Sequence, residues 1–168
     1  GYSENFIQSV FDVVEGKEGT TLIIGGDGRY HNRIVIQQAI RMAAANGFAR
    51  VIVGQGGILS TPAASHLIRK NAIYARTQTI DRWLTLDAPD IDLDAQGSAS
   101  VGAMIVEVVD PVADYADLME KLFDFPAIQR AVAGGFTMAF DAMHAVTGPY
   151  AHEILENRLG FAGGTVHN

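Results

Sequence analysis

The sequence predicts an α/β fold: a mixed, mainly parallel sheet flanked by helices, followed by the start of a second α/β domain. Three observations predict it. Short apolar runs of β type recur at residues 21–24, 50–54 and 103–109, and helical periodicity occupies the intervals between them. The first two runs end in glycine-rich turns, Gly25-Gly26-Asp27-Gly28-Arg29 and Gly54-Gln55-Gly56-Gly57. Strand, helix, strand over this interval is a βαβ unit, which closes right-handed in nearly every case.

The elements follow in order. Ser3 can cap a first helix whose apolar positions Phe6, Ile7, Val10, Phe11 and Val14 recur at helical spacing and stop near Glu15-Gly16. That stripe is expected to be core. Residues 21–24 are apolar on both sides, as a central parallel strand requires. Asn32 stands where an N-cap belongs, and Ile36, Ala39, Ile40, Ala43 and Gly47 mark the buried stripe of a second helix that Asn46-Gly47 ends. Past the strand at 50–54, Thr61 caps a third helix with Pro62 at its first position, running on to Lys70. Residues 71–84 are again helical in pattern, yet no turn signal separates Lys70 from Asn71. Two helical patterns abut without punctuation.

Residues 85–102 are polar and small, with Asp87, Asp90, Asp92 and Asp94 among Pro, Gly and Ser, and predict a surface connection. The run at 103–109 alternates Met104, Val106 and Val108 on one side with Ile105, Glu107 and Val109 on the other. Asp110-Pro111 ends it and starts a helix that buries Tyr115, Leu118, Met119 and Leu122. A helix at 126–133 stops at Gly134-Gly135, a strand follows at 136–140, and Gly148-Pro149 opens a last helix that ends at Gly160. Thr165-Val166 begins a further strand. The expected division is a first domain over 1–124 and the incomplete opening of a second over 125–168. Because the chain starts mid-pattern, a preceding segment is expected as well.

Composition limits the partners. With 168 residues and 48% hydrophobic content the chain can bury a real core. The 12 Lys+Arg against 19 Asp+Glu give a net charge of −7, which opposes nonspecific nucleic-acid binding. There is no cysteine, which excludes a disulfide scaffold and Cys-ligated zinc and accords with a cytoplasmic protein. No apolar run approaches the roughly 20 residues of a membrane span.

The first glycine turn can aim N–H groups at one point beside a helix N-terminus, as in an anion cradle. It matches no dinucleotide fingerprint, since the third glycine would fall on His31, and no Walker A lysine is present. Asp27 would repel an anion seated there, so the alternative is a structural turn in which Asp27 and Arg29 pair or brace a neighbouring loop. None of the five histidines has the spacing of a metal site. His144 lies just past a strand end, where α/β sites sit, although a satisfied structural histidine is the favoured reading. Ser60 and Thr61 lack a nucleophile elbow, and helix capping accounts for both.

Five ordered blocks add what spacing cannot. Gly25-Gly26-Asp27-Gly28-Arg29-Tyr30, Ala43 to Gly47, Gly54 to Ala63, Val106 to Pro111 and Asp141 to Tyr150 together resemble the phosphoglucomutases of the α-D-phosphohexomutase superfamily, in their bacterial form. The resemblance implies an isomerase of carbohydrate metabolism with a sugar-phosphate substrate. Such enzymes interconvert glucose 1-phosphate and glucose 6-phosphate through a phosphoserine, with bound Mg2+ and with glucose 1,6-bisphosphate as activator or intermediate. A phosphomannomutase-like sugar preference is the neighbouring alternative, and a non-catalytic binding module is the alternative from another class.

The resemblance also exposes a gap. Similar proteins carry their phosphorylated serine in a loop between the helix of Ile68-Arg69-Lys70 and the helix that Asn71-Ala72-Ile73 resembles, whereas here Lys70 meets Asn71 directly. The segment is either omitted or deleted at 70/71. No catalytic, metal or substrate ligand of the family maps onto this chain, which alone is expected to be inactive. Asp27, Arg29, Ser60, Thr61 and His144 are expected to support loops near the active site. Oligomeric state is left open.

Overall fold

The computed structural model describes residues 1–71 and 86–168. They group into two compact units, Gly1–Asp110 and Pro111–Asn168. The expected helical pattern at 71–84 lies, beyond Asn71, outside the described residues.

In the first unit the chain runs through α1 (Tyr2–Asp12), β1 (Thr21–Gly26), α2 (Asn32–Ala45), β2 (Arg50–Ile58), α3 (Thr61–Asn71), β3 (Gly97–Val101) and β4 (Met104–Val109). The four strands form one sheet in the order β1-β2-β4-β3. β1, β2 and β4 are parallel, and β3 pairs antiparallel with β4. The predicted mixed, mainly parallel sheet is therefore present. Alternation along the strands sends Val51, Val53, Met104, Val106 and Val108 to one face, where Ile7 and Phe11 of α1 and Ile36, Ile40, Met42 and Ala43 of α2 close the core over them. Ala63 and Leu67 of α3 are buried outside that cluster, as is Ile52, which alternates to the opposite face. Helices thus flank both faces.

Several local expectations are corrected. β1 lies at an edge of the described sheet rather than at its centre, and its residues are mostly half-buried. Gly1 caps α1, so Ser3 is inside the helix, which ends at Asp12 instead of near Glu15-Gly16. Phe6 is exposed, while the buried position two residues on is the polar Gln8. Gln8 survives there because its amide is satisfied: it donates to Asp12 and Asn46 and accepts from Asn46. β2 continues through the second glycine turn to Ile58, with Gly56 and Gly57 at φ 67° and 73°. Residues 97–101, read as connection, form the edge strand β3. They lack large side chains, so periodicity gave no signal there. The two-residue link to β4 places Gly102 at φ 61°, as a tight hairpin needs at its first position.

The second unit holds α4 (Ala113–Leu122), α5 (Phe125–Ala133), β5 (Phe140–Asp141), α6 (Thr147–Ala151) and β6 (Val166–His167). α6 continues from His152 to Arg158 as a wide-turned segment, in which Leu159 N–H reaches back five residues to the Ile154 carbonyl. The strand expected at 136–140 shortens to β5, paired in parallel with β6. Phe125, Leu159 and Phe161 form a small core, joined by half-buried Met119, Ile128 and Leu155. Leu122, expected to be buried, is exposed because the chain turns away at Phe123 to enter α5. Asp124 caps α5 by accepting from Ala127 N–H at 2.9 Å. Arg158 ties this unit together, bonding Asp117 at 2.8 Å, Glu120 at 3.0 Å and Glu153 at 2.9 Å.

Candidate functional site

The ends of β1 and β2 meet the start of α2, and the two glycine turns make that meeting possible. A Cβ on Gly25 would overlap Leu59, and one on Gly26 would overlap the Asn32 amide. Leu59 N–H donates to the Gly26 carbonyl at 2.9 Å, locking the exit of β2 against the end of β1. Gly25 and Gly26 are thus explained by the close approach of Leu59 and Asn32. Two amides at the first turn are satisfied internally: Arg29 N–H donates to Asp27 Oδ1 at 3.3 Å, and Asn32 N–H donates to the Arg29 carbonyl at 2.9 Å.

Asp27 Oδ2 and Arg29 Nε pair at 2.9 Å, with the arginine side chain 86% exposed. A pair so exposed contributes at most about 1 kcal/mol. The cap of α2 is His31 in a left-handed conformation (φ 67°), not Asn32. Asn32 is the first helical residue because its side chain is engaged elsewhere, its Nδ2 donating to the Gly57 carbonyl at 3.1 Å. It links the two turns. A Cβ at Gly57 would also come within 2.8 Å of Ile36, so this crossing is tight on the helix side as well.

An open groove of about 390 Å³ follows the start of α2, lined by Arg29, Tyr30, His31, Arg33, Gly56 and Ile58 among others. Its cations are already engaged. Arg33 donates two bonds to Asp94, at 2.7 and 2.9 Å, and these hold the Asp94 carboxyl below its ordinary value. Gln55 Nε2 donates to the Asp94 carbonyl at 2.6 Å, and Gly56 N–H donates to the Leu93 carbonyl at 2.6 Å. The acidic run, read as a solvated face, therefore also fastens α2 and β2.

Ser60, rather than Thr61, caps α3, its Oγ accepting from Ala63 N–H at 3.3 Å. Thr61 and Pro62 occupy the first turn. α3 runs without interruption through Lys70 and Asn71, whose side chain donates back to the Leu67 carbonyl at 2.8 Å. Asp27, Arg29, Ser60 and Thr61 thus sit on adjacent connections of the first unit. His144 belongs to the second unit, exposed just past β5. It and Met143 both adopt left-handed backbone (φ 56° and 51°), while Asp141 Oδ1 accepts from Met143 N–H at 2.8 Å. Sequence reasoning missed Asn32 as a link and Asp94 as an anchor. An asparagine at a helix start reads as a cap, and no local pattern pairs positions 33 and 94.

The class is now defined: an α/β/α layered domain whose glycine turns gather at the ends of its parallel strands. Residues 1–77 match the family described as phosphoglucomutase/phosphomannomutase, alpha/beta/alpha domain I. The chain is 53% identical to a phosphoglucomutase of Rhizobium radiobacter over 99% of its own length and 38% of that protein's. It is 37% identical to a phosphoglucomutase of Schizosaccharomyces pombe, again over 99% of this chain and 38% of the relative. Among solved structures it is similar to the open form of the exocytosis-sensitive phosphoprotein pp63/parafusin (phosphoglucomutase) from Paramecium. That likeness has a TM-score of 0.89 and 33% identity, covering 99% of this chain and 40% of the other. The chain is thus similar to phosphoglucomutases over nearly all of its own length, its residues 1–77 matching their first domain, and it spans 38% of the length of the bacterial relative.

Proposed function

We propose that this chain is the frame-bearing portion of a phosphoglucomutase, an isomerase that interconverts glucose 1-phosphate and glucose 6-phosphate through a phosphoserine. The observation that carries the reading is the 53% identity to the Rhizobium radiobacter phosphoglucomutase across nearly the whole chain. The whole enzyme would pass a phosphoryl group to one sugar hydroxyl and recover it from the other, with glucose 1,6-bisphosphate between. Residues 1–124 would be its first domain and 125–168 the opening of its second. The acidic, cysteine-free composition supports a cytoplasmic protein that binds sugar phosphate rather than nucleic acid. No described helix is long and apolar enough to cross a membrane.

The family resemblance implies Mg2+, yet among the described residues no three His, Asp or Glu side chains converge to hold a metal. The described residues do not fit that ion. What the chain's own residues do is position: Asn32 joins the two glycine turns, Ser60 sets the start of α3, and Asp27 with Arg29 fixes the outer edge of the first turn. One observation favours a second reading, a non-catalytic module. The alignment with the bacterial relative spans 206 residues against the 168 of this chain, so a stretch of that enzyme has no counterpart here.

A chimera separates the two. Residues 1–70 and 71–168 would replace their counterparts in the Rhizobium radiobacter enzyme, whose own intervening segment is kept. We expect magnesium-dependent turnover of glucose 1-phosphate in a coupled assay; a folded, inactive chimera would favour the module. Within an active chimera, Arg29→Ala should lower kcat several-fold while changing stability by no more than about 1 kcal/mol, as befits an exposed ion pair. An unchanged kcat would remove Arg29 from the support of the site.

A further inference from the structure

We propose that Asn46 is a covalent modification site, a deamidation centre held shut by the folded core and opened by local unfolding. Asn46-Gly47 is the sequence's single Asn-Gly pair. An asparagine before glycine loses its amide readily, because no side chain obstructs attack by the following backbone nitrogen. The deprotonated Gly47 nitrogen would bond to Asn46 Cγ, the Cγ–Nδ2 bond would break, and ammonia would leave with a proton from solvent. Water would then open the succinimide to aspartate or isoaspartate.

The fold opposes each movement that this requires. Asn46 is 5% exposed at the C-cap of α2, and its ψ of 7° turns the Gly47 nitrogen away from the Cβ side where the ring would close. Rotating ψ would break Gly47 N–H to the Ala44 carbonyl and Phe48 N–H to the Ala43 carbonyl. It would also pull Phe48, 4% exposed and edge-on to Phe11 at 5.2 Å, out of the core. The side chain is clamped as well. Its Nδ2 donates to Gln8 Oε1 at 3.0 Å and to the Met42 carbonyl at 2.8 Å, and its Oδ1 accepts from Gln8 at 2.6 Å and from Lys17 Nζ at 3.1 Å. The Lys17 ammonium polarises the amide toward attack, so restraint is what protects it.

The product would not fit where the amide did. An aspartate at 46 loses the two bonds that the amide donates to the Met42 carbonyl and to Gln8 and places a carboxylate in their buried surroundings, and isoaspartate lengthens the backbone at the cap. The reaction is one-way, so each opening of the α1–α2 pair that ends in deamidation returns a less stable chain.

The test incubates the full chain at mildly alkaline pH, in native buffer and in concentrated urea, and follows the tryptic peptide of residues 42–50 by mass. Deamidation in native buffer should be at least about tenfold slower than in urea, equivalent to about 1.4 kcal/mol of opening free energy. Gln8→Met keeps volume and helix propensity but removes two clamping bonds, and should speed the native reaction several-fold without changing the rate in urea. Equal rates in native buffer and in urea would overturn the proposal. So would a folded Gln8→Met chain that deamidates at the parent's native rate.

Discussion

Gly25→Ala should destabilise the first unit by about 1–3 kcal/mol, at the upper end of what one inserted methyl costs in a packed interior. The new Cβ would overlap Leu59 Cβ and stand 3.2 Å from its Cα, so relief requires moving backbone and not merely a side-chain tip. Leu59 is 5% exposed, and its N–H holds the Gly26 carbonyl, so separating the two strands' ends loses a hydrogen bond as well as packing. Gly26→Ala should cost less, because its clash is with the Asn32 amide, which can rotate once it releases the Gly57 carbonyl. Urea unfolding of both variants measures the order; equal losses would show that backbone approach at Leu59 is not the tighter constraint.

Arg158→Met should destabilise the second unit by about 1–2 kcal/mol, below the roughly 1.5–3 kcal/mol of hydrogen bonds to charged groups because Asp117 and Glu120 are more than half exposed. Methionine keeps the stem's apolar contacts and removes the guanidinium. The loss should depend on pH with a definite sign. Glu153 lies below its ordinary value of 4.5 because Asn157 and Arg158 bond its carboxylate. A carboxyl lowered in the folded state contributes stability that is complete above its unfolded value and disappears as pH falls through its folded value. The difference in melting temperature between parent and Arg158→Met should therefore be full near neutrality and shrink below pH 4.5. Glu156 is also lowered, chiefly by the Val166 N–H, so the parent itself should lose stability over the same acidic range. A difference that stays constant down to strong acid would mean that Arg158 acts through packing alone.

How much of this was legible depended on the range of the forces involved. The buried stripe of α2 was readable because periodicity reports burial on one element, and Ile36, Ala39, Ile40 and Ala43 all lie in the core. Phe6 misled for the same reason: a pattern names a stripe, but the width of the covering partner decides which edge of it stays in water. β3 was invisible because Gly97, Ser98, Ala99 and Ser100 carry no apolar signal; their strand exists because β4 offers a ladder. At the site, the Asp27–Arg29 pairing was open to inference from two residues in one turn. Links such as Asn32 to Gly57, or Arg33 to Asp94, join distant parts of the chain and appear only once the strands are in register. The family blocks were readable where spacing was not, because they preserve such distant solutions as letters.

The position of β1 has one more consequence. On its outer side, among the described residues, the strand has no neighbour, and its sequence there is Thr21-Leu22-Ile23-Ile24, without charge or proline. Natural edge strands are usually blunted by a lysine, a proline or a bulge, and the only irregularity in β1 comes after Ile24, between Ile24 and Gly26. Two copies meeting there would extend one ladder into another, an approach that the charge of −7 opposes. Solubility should thus fall as added salt screens that charge.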